Sequence, residues 1–138
     1  MKRYSLKLIL GYLGVYSPPP INKWLAKIRG VKFDDINSAW IGIGSLLDNK
    51  SPHLIHIGKN VTISNNVNIY THSEPPLSLS RFGIKYYEKP VKIGSNVYIG
   101  SNVTILPGIT INSHSVIGAA SVVTKDVPSF SVVAGNPA

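Results

Sequence analysis

Aliphatic residues recur at every sixth position over most of the chain. The first series consists of Ile57, Ile63, Ile69, Ile93, Ile99, Ile105, Ile111, Ile117 and Val123. A second series follows most of these residues by four positions: Val61, Val67, Val97, Val103, Ile109, Ser115, Ser121 and Val127. This period fits neither an amphipathic helix nor the two-residue alternation of a half-buried strand. It is typical of a solenoid in which each repeat is one short strand and one tight turn.

Three such repeats close a triangular coil of about 18 residues, and stacked coils place their aliphatic side chains above one another inside a prism. Residues 91–126 supply two complete coils, residues 55–72 supply one, and residues 35–54 supply an irregular first one. No single coil can bury its own core, so the coils stabilise one another. The pattern predicts an all-β solenoid, a parallel β-helix over residues 31–138.

Two short helices are predicted before the periodic region, within residues 1–30. Residues 5–16 form an apolar segment that ends at Ser17, because three prolines follow and proline cannot continue a helix. The second helix ends at Gly30, a common terminator. Its apolar residues fall at helical spacing: Ile21, Trp24, Leu25 and Ile28.

Length and composition narrow the class of protein further. A chain of 138 residues fits one domain, and the absence of cysteine excludes disulfide and thiolate chemistry. The apolar run before Ser17 is shorter than the roughly 20 residues that span a bilayer, and no signal-peptide cleavage pattern follows it. We therefore expect a cytoplasmic protein.

The chain is basic, and its charge is unevenly distributed. The formal net charge is +8, half of the 14 basic residues precede Phe33, and no acidic residue occurs before Asp34. Such asymmetry indicates an anionic partner or, equally, two solvated helix faces. Because no nucleic-acid-binding motif is present, no nucleic acid is expected as a partner.

A peripheral contact between residues 1–30 and the inner face of the membrane is one interpretation of this basic, partly apolar segment. The alternative is that its apolar side chains pack on the prism or on another subunit. The residues concerned are Leu6, Leu8, Ile9 and Trp24.

The six-residue pattern is interrupted once, by a loop over residues 70–90. This loop, "YTHSEPPLSLSRFGIKYYEKP", carries two adjacent prolines, a histidine, an arginine and several aromatic residues. Long excursions from a rigid scaffold commonly carry binding and catalytic groups. The loop is therefore the candidate site.

The run "IGSNVYIGSNVTILPGITINSHSVIGAASVVTKDVPSFSVVAGNPA" closely resembles the hexapeptide-repeat acyltransferases, in particular the O-acetyltransferases of sugars, capsules and lipopolysaccharide. The resemblance covers residues 31–138, and "VVTKDVPSFSVVAGNP" is typical of the branch that uses acyl-coenzyme A. It implies a left-handed parallel β-helix, a homotrimer with sites between neighbouring prisms, acetyl-CoA as donor, a carbohydrate acceptor and no required metal.

Transfer to a sugar hydroxyl needs a base, and histidine suits that role at neutral pH. The resemblance places the base at His72, while His53, His56 and His114 are expected to be surface residues. Many relatives carry their histidine two residues further on, where this chain has Glu74, so Glu74 remains an alternative base. A group that orients the His72 ring is expected from the neighbouring coil or from another subunit.

The resemblance also implies a groove for coenzyme A. The matching positions are Ser101, Ala119, Thr124 and Lys125. Ser101 and Ala119 are one coil apart and should stack on the same face. The backbone amide of Ser101 is a candidate donor to the oxyanion that develops during transfer.

The function predicted from the sequence is acetyl transfer from acetyl-CoA to a hydroxyl of a sugar or of a surface polysaccharide precursor. The alternative is a catalytically inactive or structural β-helix, because the coils are stable without catalysis. A γ-class carbonic anhydrase shares the fold, but the spacing of the four histidines does not provide its three metal ligands.

Overall fold

The structure is a computed structural model that describes residues 6–138, so the basic residues Lys2 and Arg3 lie outside the described part. It begins with helices α1 (Leu6–Tyr16) and α2 (Ile21–Arg29), joined through the prolines that end the first helix. Short 3₁₀ turns occur at Ile36–Ser38, Pro52–Leu54 and Leu77–Phe82.

The rest of the chain is built from strands of two or three residues. In the first half they are β1 (Lys32–Phe33), β2 (Trp40–Ile41), β3 (Leu46–Leu47), β4 (Ile55–Ile57), β5 (Thr62–Ile63), β6 (Asn68–Ile69) and β7 (His72–Ser73). They continue as β8 (Tyr87–Glu88), β9 (Val91–Ile93), β10 (Tyr98–Ile99), β11 (Thr104–Ile105), β12 (Thr110–Ile111), β13 (Val116–Ile117), β14 (Val122–Val123) and β15 (Val132–Val133).

These strands stack into three parallel sheets that form the sides of a prism. The first sheet has the order β1-β4-β9-β12, the second β2-β5-β10-β13-β15 and the third β3-β6-β11-β14. Ile99 pairs with Ile117, and 117 − 99 gives the predicted coil of 18 residues. The first coil is irregular, as expected, since Ile41 pairs with Ile63, 22 residues on.

The core is the interior of the prism, and both predicted series point into it. Every member of the first series is at most 3% exposed, and the second series is equally buried apart from Ile109 at 6%. Two of its members are serines near the last coil, where their hydroxyls are satisfied. Ser115 Oγ donates to the carbonyl of Pro128 at 2.8 Å, and Ser121 Oγ donates to that of Gly118 at 2.6 Å.

Four of the corners between strands carry an asparagine in a left-handed conformation. Asn60, Asn66, Asn96 and Asn102 have φ between 53° and 60°, a left-handed conformation that asparagine tolerates better than most residues. Gly100 is required for close stacking, because a Cβ there would lie 2.6 Å from the backbone nitrogen of Ala119. The tight turns and the close stacking of the coils together fix the repeat length at six residues.

Helix α2 covers the open edge of the first coil with its polar side. Asn22 Nδ2 donates to the carbonyl of Ile41 at 2.7 Å, and Lys23 Nζ donates to that of Ala39 at 2.9 Å. Unpaired strand-edge carbonyls need donors, and these side chains supply them. An apolar stripe usually faces the core, but here Ile21, Trp24 and Ile28 remain exposed.

The division of the chain into residues 1–30 and 31–138 stays a prediction. The described helices are attached to the first coil by the hydrogen bonds above and by one from Gly44 N to the carbonyl of Val15, at 2.8 Å. None of the helices within residues 6–138 is long and apolar enough to cross a membrane.

Candidate active site

The interrupting loop leaves the prism after β6 and returns at β9. Its two ends pair as an antiparallel ribbon, β7 with β8, which sets His72 opposite Glu88 and Ser73 opposite Tyr87. Lys89 N donates to the carbonyl of Thr71 at 2.8 Å and closes the ribbon onto the prism. His72 is therefore held by regular backbone pairing, whereas residues 80–90 beyond it are exposed.

Asp48 is the partner of His72. Asp48 Oδ2 lies 2.7 Å from His72 Nδ1, and the aspartate side chain is fully buried whereas that of the histidine is 23% exposed. Asp48 follows β3, one coil before His72, so it belongs to the neighbouring coil, one of the two origins left open by the sequence. A buried carboxylate at this distance holds the imidazole ring in one orientation.

The Asp48 carboxylate is surrounded by donors. Its Oδ2 accepts from both the backbone N and the Oγ1 of Thr71 at 2.7 Å, and its Oδ1 accepts from Lys50 N at 2.8 Å. Burial alone raises the pKa of this carboxyl, but the hydrogen bonds from Thr71, His72 and Lys50 outweigh it and lower the pKa from 3.8 to about 2. Asp48 is therefore ionised at neutral pH.

This ionisation defines the histidine tautomer. An ionised carboxylate can only accept hydrogen bonds, so the hydrogen on His72 must sit on Nδ1 when the ring is neutral. The lone pair is then on Nε2, the nitrogen that does not face Asp48. The arrangement leaves His72 able to take a proton on Nε2.

Glu74, the alternative base, lies in a different environment. Its Oε2 is 2.8 Å from Lys50 Nζ, and both side chains are largely exposed. The hydrogen bond to Glu74 raises the pKa of Lys50. The same ammonium group lies 4.4 Å from the centre of the Tyr86 ring.

Glu88, which lies opposite His72 in the ribbon, takes part in further polar contacts. Ser51 Oγ donates to Glu88 Oε1, and a hydrogen bond with Glu88 raises the pKa of Tyr86. Sequence reasoning missed Asp48, Lys50 and Ser51 because they lie in the irregular first coil, where no repeat spacing marks a position. It also could not single out Glu88, since only the ribbon pairing brings this residue opposite His72.

The residues predicted to bind the donor do not all lie together. Ser101 and Ala119 stack as expected, with Ala120 N donating to the carbonyl of Ser101 at 2.9 Å. They lie at the prism edge between the second and third sheets. Thr124 and Lys125 follow β14, at the next edge, which is also the edge from which the His72 loop departs. One side of the prism separates Ser101 from His72.

The other histidines are exposed, as expected. His56 Nε2 lies 2.6 Å from Asp34 Oδ1, and the ring of His114 stacks on Phe130 with 4.7 Å between centroids. Within residues 6–138 no three histidine, cysteine or acidic side chains are placed to hold a metal ion. The same part of the chain forms no enclosed pocket by itself.

Comparison with known proteins places this architecture in a class. The family profile for the bacterial transferase hexapeptide (six repeats) matches residues 90–125. A maltose O-acetyltransferase from Clostridium difficile 630 superposes with a TM-score of 0.63 and 34% identity, over 95% of this chain and 80% of that one. A galactoside acetyltransferase in complex with coenzyme A gives a TM-score of 0.62 and 32% identity, over 94% and 74%.

The chain belongs to the hexapeptide-repeat transferase family, and its fold is the left-handed parallel β-helix. In sequence it is 46% identical over 85 residues to the galactoside O-acetyltransferase of Escherichia coli (strain K12), a match that covers 62% of this chain. The chain spans about two fifths of the length of the curated relatives it matches first.

The buried state of Asp48 predicts a specific pH dependence of stability. Because its folded pKa of about 2 lies below the ordinary 3.8, its contribution is complete above about pH 4 and is lost as the pH falls towards 2. We expect this to remove about 2 kcal/mol from the free energy of unfolding.

Urea unfolding of wild type and Asp48→Asn between pH 5 and pH 2 measures the effect. The variant should lack this part of the acid dependence, and Asp34→Asn, which removes an exposed carboxylate beside His56, is the matched control. Parallel pH curves for wild type and Asp48→Asn would contradict the assignment.

Proposed function

We propose that the protein transfers an acetyl group from acetyl-CoA to a hydroxyl of a sugar or of a surface polysaccharide precursor. His72 is the general base. The observation that carries the proposal is the 2.7 Å contact between His72 Nδ1 and the buried carboxylate of Asp48, which leaves Nε2 free to accept a proton. The likeness to galactoside and maltose O-acetyltransferases supports the reaction class.

The transfer proceeds in two steps, attack on the thioester and collapse of the tetrahedral intermediate. Nε2 of His72 takes the hydroxyl proton as the acceptor oxygen attacks the thioester carbonyl, and the imidazolium is stabilised by ionised Asp48. The tetrahedral intermediate then collapses, the bond from carbon to sulfur breaks, and His72 returns the proton to the departing thiolate of coenzyme A. The products are the acetyl ester and free coenzyme A.

The environment of the loop favours His72 over Glu74 as the base. The Glu74 carboxylate is paired with Lys50, and an ionised, paired carboxylate is a weak base at neutral pH. We assign Glu74, Tyr86 and Glu88 to the surroundings of the acceptor instead. Carboxylates accept hydrogen bonds from sugar hydroxyls, and aromatic rings pack on the apolar faces of sugars.

The separation of His72 from Ser101 supports a site shared between subunits. The base and an oxyanion donor act on the same reacting group, so both must reach it within hydrogen-bond distance. In one chain a prism side lies between their edges, about six residues of extended backbone or up to roughly 20 Å. A neighbouring prism can bring its Ser101 edge to the His72 edge of the first.

Such a contact joins two different edges, so it is a heterologous interface, which closes into a ring when the rotation permits. We propose a homotrimer in which each acetyl-CoA lies between the Ser101 and Ala119 edge of one chain and the His72 edge of the next. Lys125 lies on the His72 edge and would face the phosphates of the donor.

We also propose that residues 1–30 contact an anionic membrane surface at the inner face of the membrane, on the cytoplasmic side. Exposed apolar side chains occur on both helices: Leu6, Ile9, Leu13, Tyr16, Ile21, Trp24 and Ile28. Lys27 Nζ lies 5.3 Å from the centre of the Trp24 ring, an aromatic and basic pair that suits a lipid interface. Lipid-linked glycans would be presented at such a surface.

The role of His72 is tested by His72→Ala. We expect the transfer rate to fall by roughly 10² to 10⁴, the usual contribution of a positioned base. Acetyl-CoA affinity, measured by calorimetry, should stay within about twofold, because the base acts on the acceptor proton.

His56→Ala is the matched control, since His56 also contacts an aspartate at 2.6 Å but lies on the outer face of the first sheet. It should keep wild-type transfer. A large loss in Glu74→Gln with none in His72→Ala would move the base to Glu74. No transfer and no donor binding in wild type would favour a structural protein.

The shared site is tested by mixing two defective subunits, His72→Ala and Ala119→Trp. Ala119 is exposed, so the tryptophan blocks the groove without entering the core. If the two residues serve a site between neighbours, co-expression should return activity, with roughly a quarter of the sites intact in randomly mixed trimers.

If each chain supplies both residues to the same site, no mixed trimer contains an intact site and activity stays absent. Light scattering gives the assembly mass in parallel. A monomer at micromolar concentration would exclude both the trimer and the shared site.

The membrane contact is tested by sedimentation with anionic vesicles. The double variant Trp24→Ser with Ile28→Ser should reduce the bound fraction at least about tenfold, because each large apolar side chain contributes about 1.5–3 kcal/mol when buried. Phe130→Ser, which changes an exposed aromatic residue at the far end of the prism, is the control and should bind as wild type does. If wild type, the double variant and Phe130→Ser bind the vesicles equally, the membrane contact is wrong. A changed assembly mass for the double variant would then show that Trp24 and Ile28 contact another subunit.

A further inference from the structure

We infer that Arg29, the last residue of α2, is a positioning residue for the transfer reaction. It holds the turn that carries Asp48 and thereby sets the orientation of His72. This inference rests on the proposed role of His72 as the base. It assigns a function in catalysis to the helical segment in addition to any contact with a membrane.

The contacts of Arg29 converge on three consecutive residues. Its Nη2 donates to the carbonyl of Leu47 at 2.8 Å and to that of Asp48 at 2.6 Å, and lies 2.8 Å from Asn49 Oδ1. Both the backbone and the side chain of Asp48 are therefore held by hydrogen bonds. Arg29 holds its backbone, while Thr71 and Lys50 N hold its carboxylate.

Burying the guanidinium of Arg29 costs desolvation free energy, more than attaching a helix by apolar contacts would. The residue is 2% exposed, and among the described residues its Nε has no hydrogen-bond partner. A buried guanidinium loses hydration that only nearby acceptors and opposite charge restore. Burial lowers the pKa of Arg29 and the Asp48 carboxylate opposes this, so the two charges stabilise one another. The buried guanidinium therefore fixes the backbone of the turn that carries Asp48.

Helix α1 leaves room for this arrangement at Gly11. A Cβ at Gly11 would lie 2.2 Å from Asn49 Oδ1 and 3.1 Å from Arg29 Cζ. Gly11→Ala therefore pushes directly on the Arg29 and Asn49 pair without removing any of its atoms. Gly14 is a matched site on the same helix, since its added Cβ would make an ordinary 3.7 Å contact with Leu25.

Loss of Arg29 frees the backbone of the turn but leaves both members of the Asp48 and His72 pair in place. Misplacement of a catalytic group by about 1 Å can reduce the rate by roughly 10²-fold. The change should appear in kcat, while the KM for acetyl-CoA stays near its wild-type value, because the side-chain hydrogen bonds of Arg29 go to residues 47–49 and to none of the proposed donor-binding residues. A purely structural contact would lower stability and leave kcat of the folded protein unchanged.

The experiment compares Arg29→Met, Arg29→Lys and Lys23→Met in the full chain. Lys23 is the control, since it is on the same helix and also donates to a carbonyl of the first coil, but at Ala39. We expect kcat to fall by roughly 10- to 10²-fold in Arg29→Met, to recover partly in Arg29→Lys and to be unchanged in Lys23→Met.

Proton NMR gives a readout that does not depend on activity. The hydrogen on His72 Nδ1, bonded to Asp48, should give a downfield resonance that is identified by its loss in His72→Ala. This resonance should shift or broaden in Arg29→Met and persist in Lys23→Met. Wild-type kcat and an unchanged resonance in folded Arg29→Met would overturn the inference.

If Arg29→Met does not fold, the inference is tested with Gly11→Ala and its control Gly14→Ala. Gly11→Ala should lower kcat and perturb the resonance, whereas Gly14→Ala should do neither, and identical behaviour of the two would overturn the inference. Failure of the proposed function looks different. In that case His72→Ala transfers at the wild-type rate, whatever Arg29→Met does to the resonance.

Discussion

The parallel hydrogen bonds between stacked coils are the constraint on which the structure depends. Each strand has only two or three residues, so it is stable only when a coil lies above or below it. The first coil has no coil on its outer side, and its carbonyls need other donors. Asn22, Lys23 and Arg29 of α2 supply them. The helix is thus the end cap that a solenoid requires.

This capping role explains the unusual orientation of α2. A helix that satisfies carbonyl groups must turn its polar side inward, and its apolar stripe then faces outward. The exposed apolar surface is a consequence of the way the solenoid ends, and it gives the N-terminal segment a face suited to lipid or to another protein. Helix α2 therefore caps the first coil with one side and exposes apolar residues on the other.

Helix α2 also lies next to the candidate site. Arg29 reaches the backbone of Asp48, and Asp48 lies one coil below His72, so the end of the solenoid and the site are connected through a few buried atoms. The loop over residues 70–90 is long and exposed, but His72 lies at its base, where ribbon pairing and the buried carboxylate of Asp48 restrain the side chain. The triangular cross-section places Ser101 and His72 on different edges of one prism, which is why the proposed site needs a second copy of the chain.

The sequence by itself determined the fold, because a period of six in aliphatic residues has few physical solutions and most of the turns carry an asparagine or a glycine. It also indicated His72, from the interruption in that period together with a family resemblance. Only the tertiary structure decided that Asp48 faces His72 and that Arg29 holds the Asp48 turn. These relations join residues from the irregular first coil, the helix and the loop, whose distances along the chain follow no repeat. Spacing can predict contacts only where the geometry is periodic, and in the described part of this chain the candidate site lies where the periodicity stops.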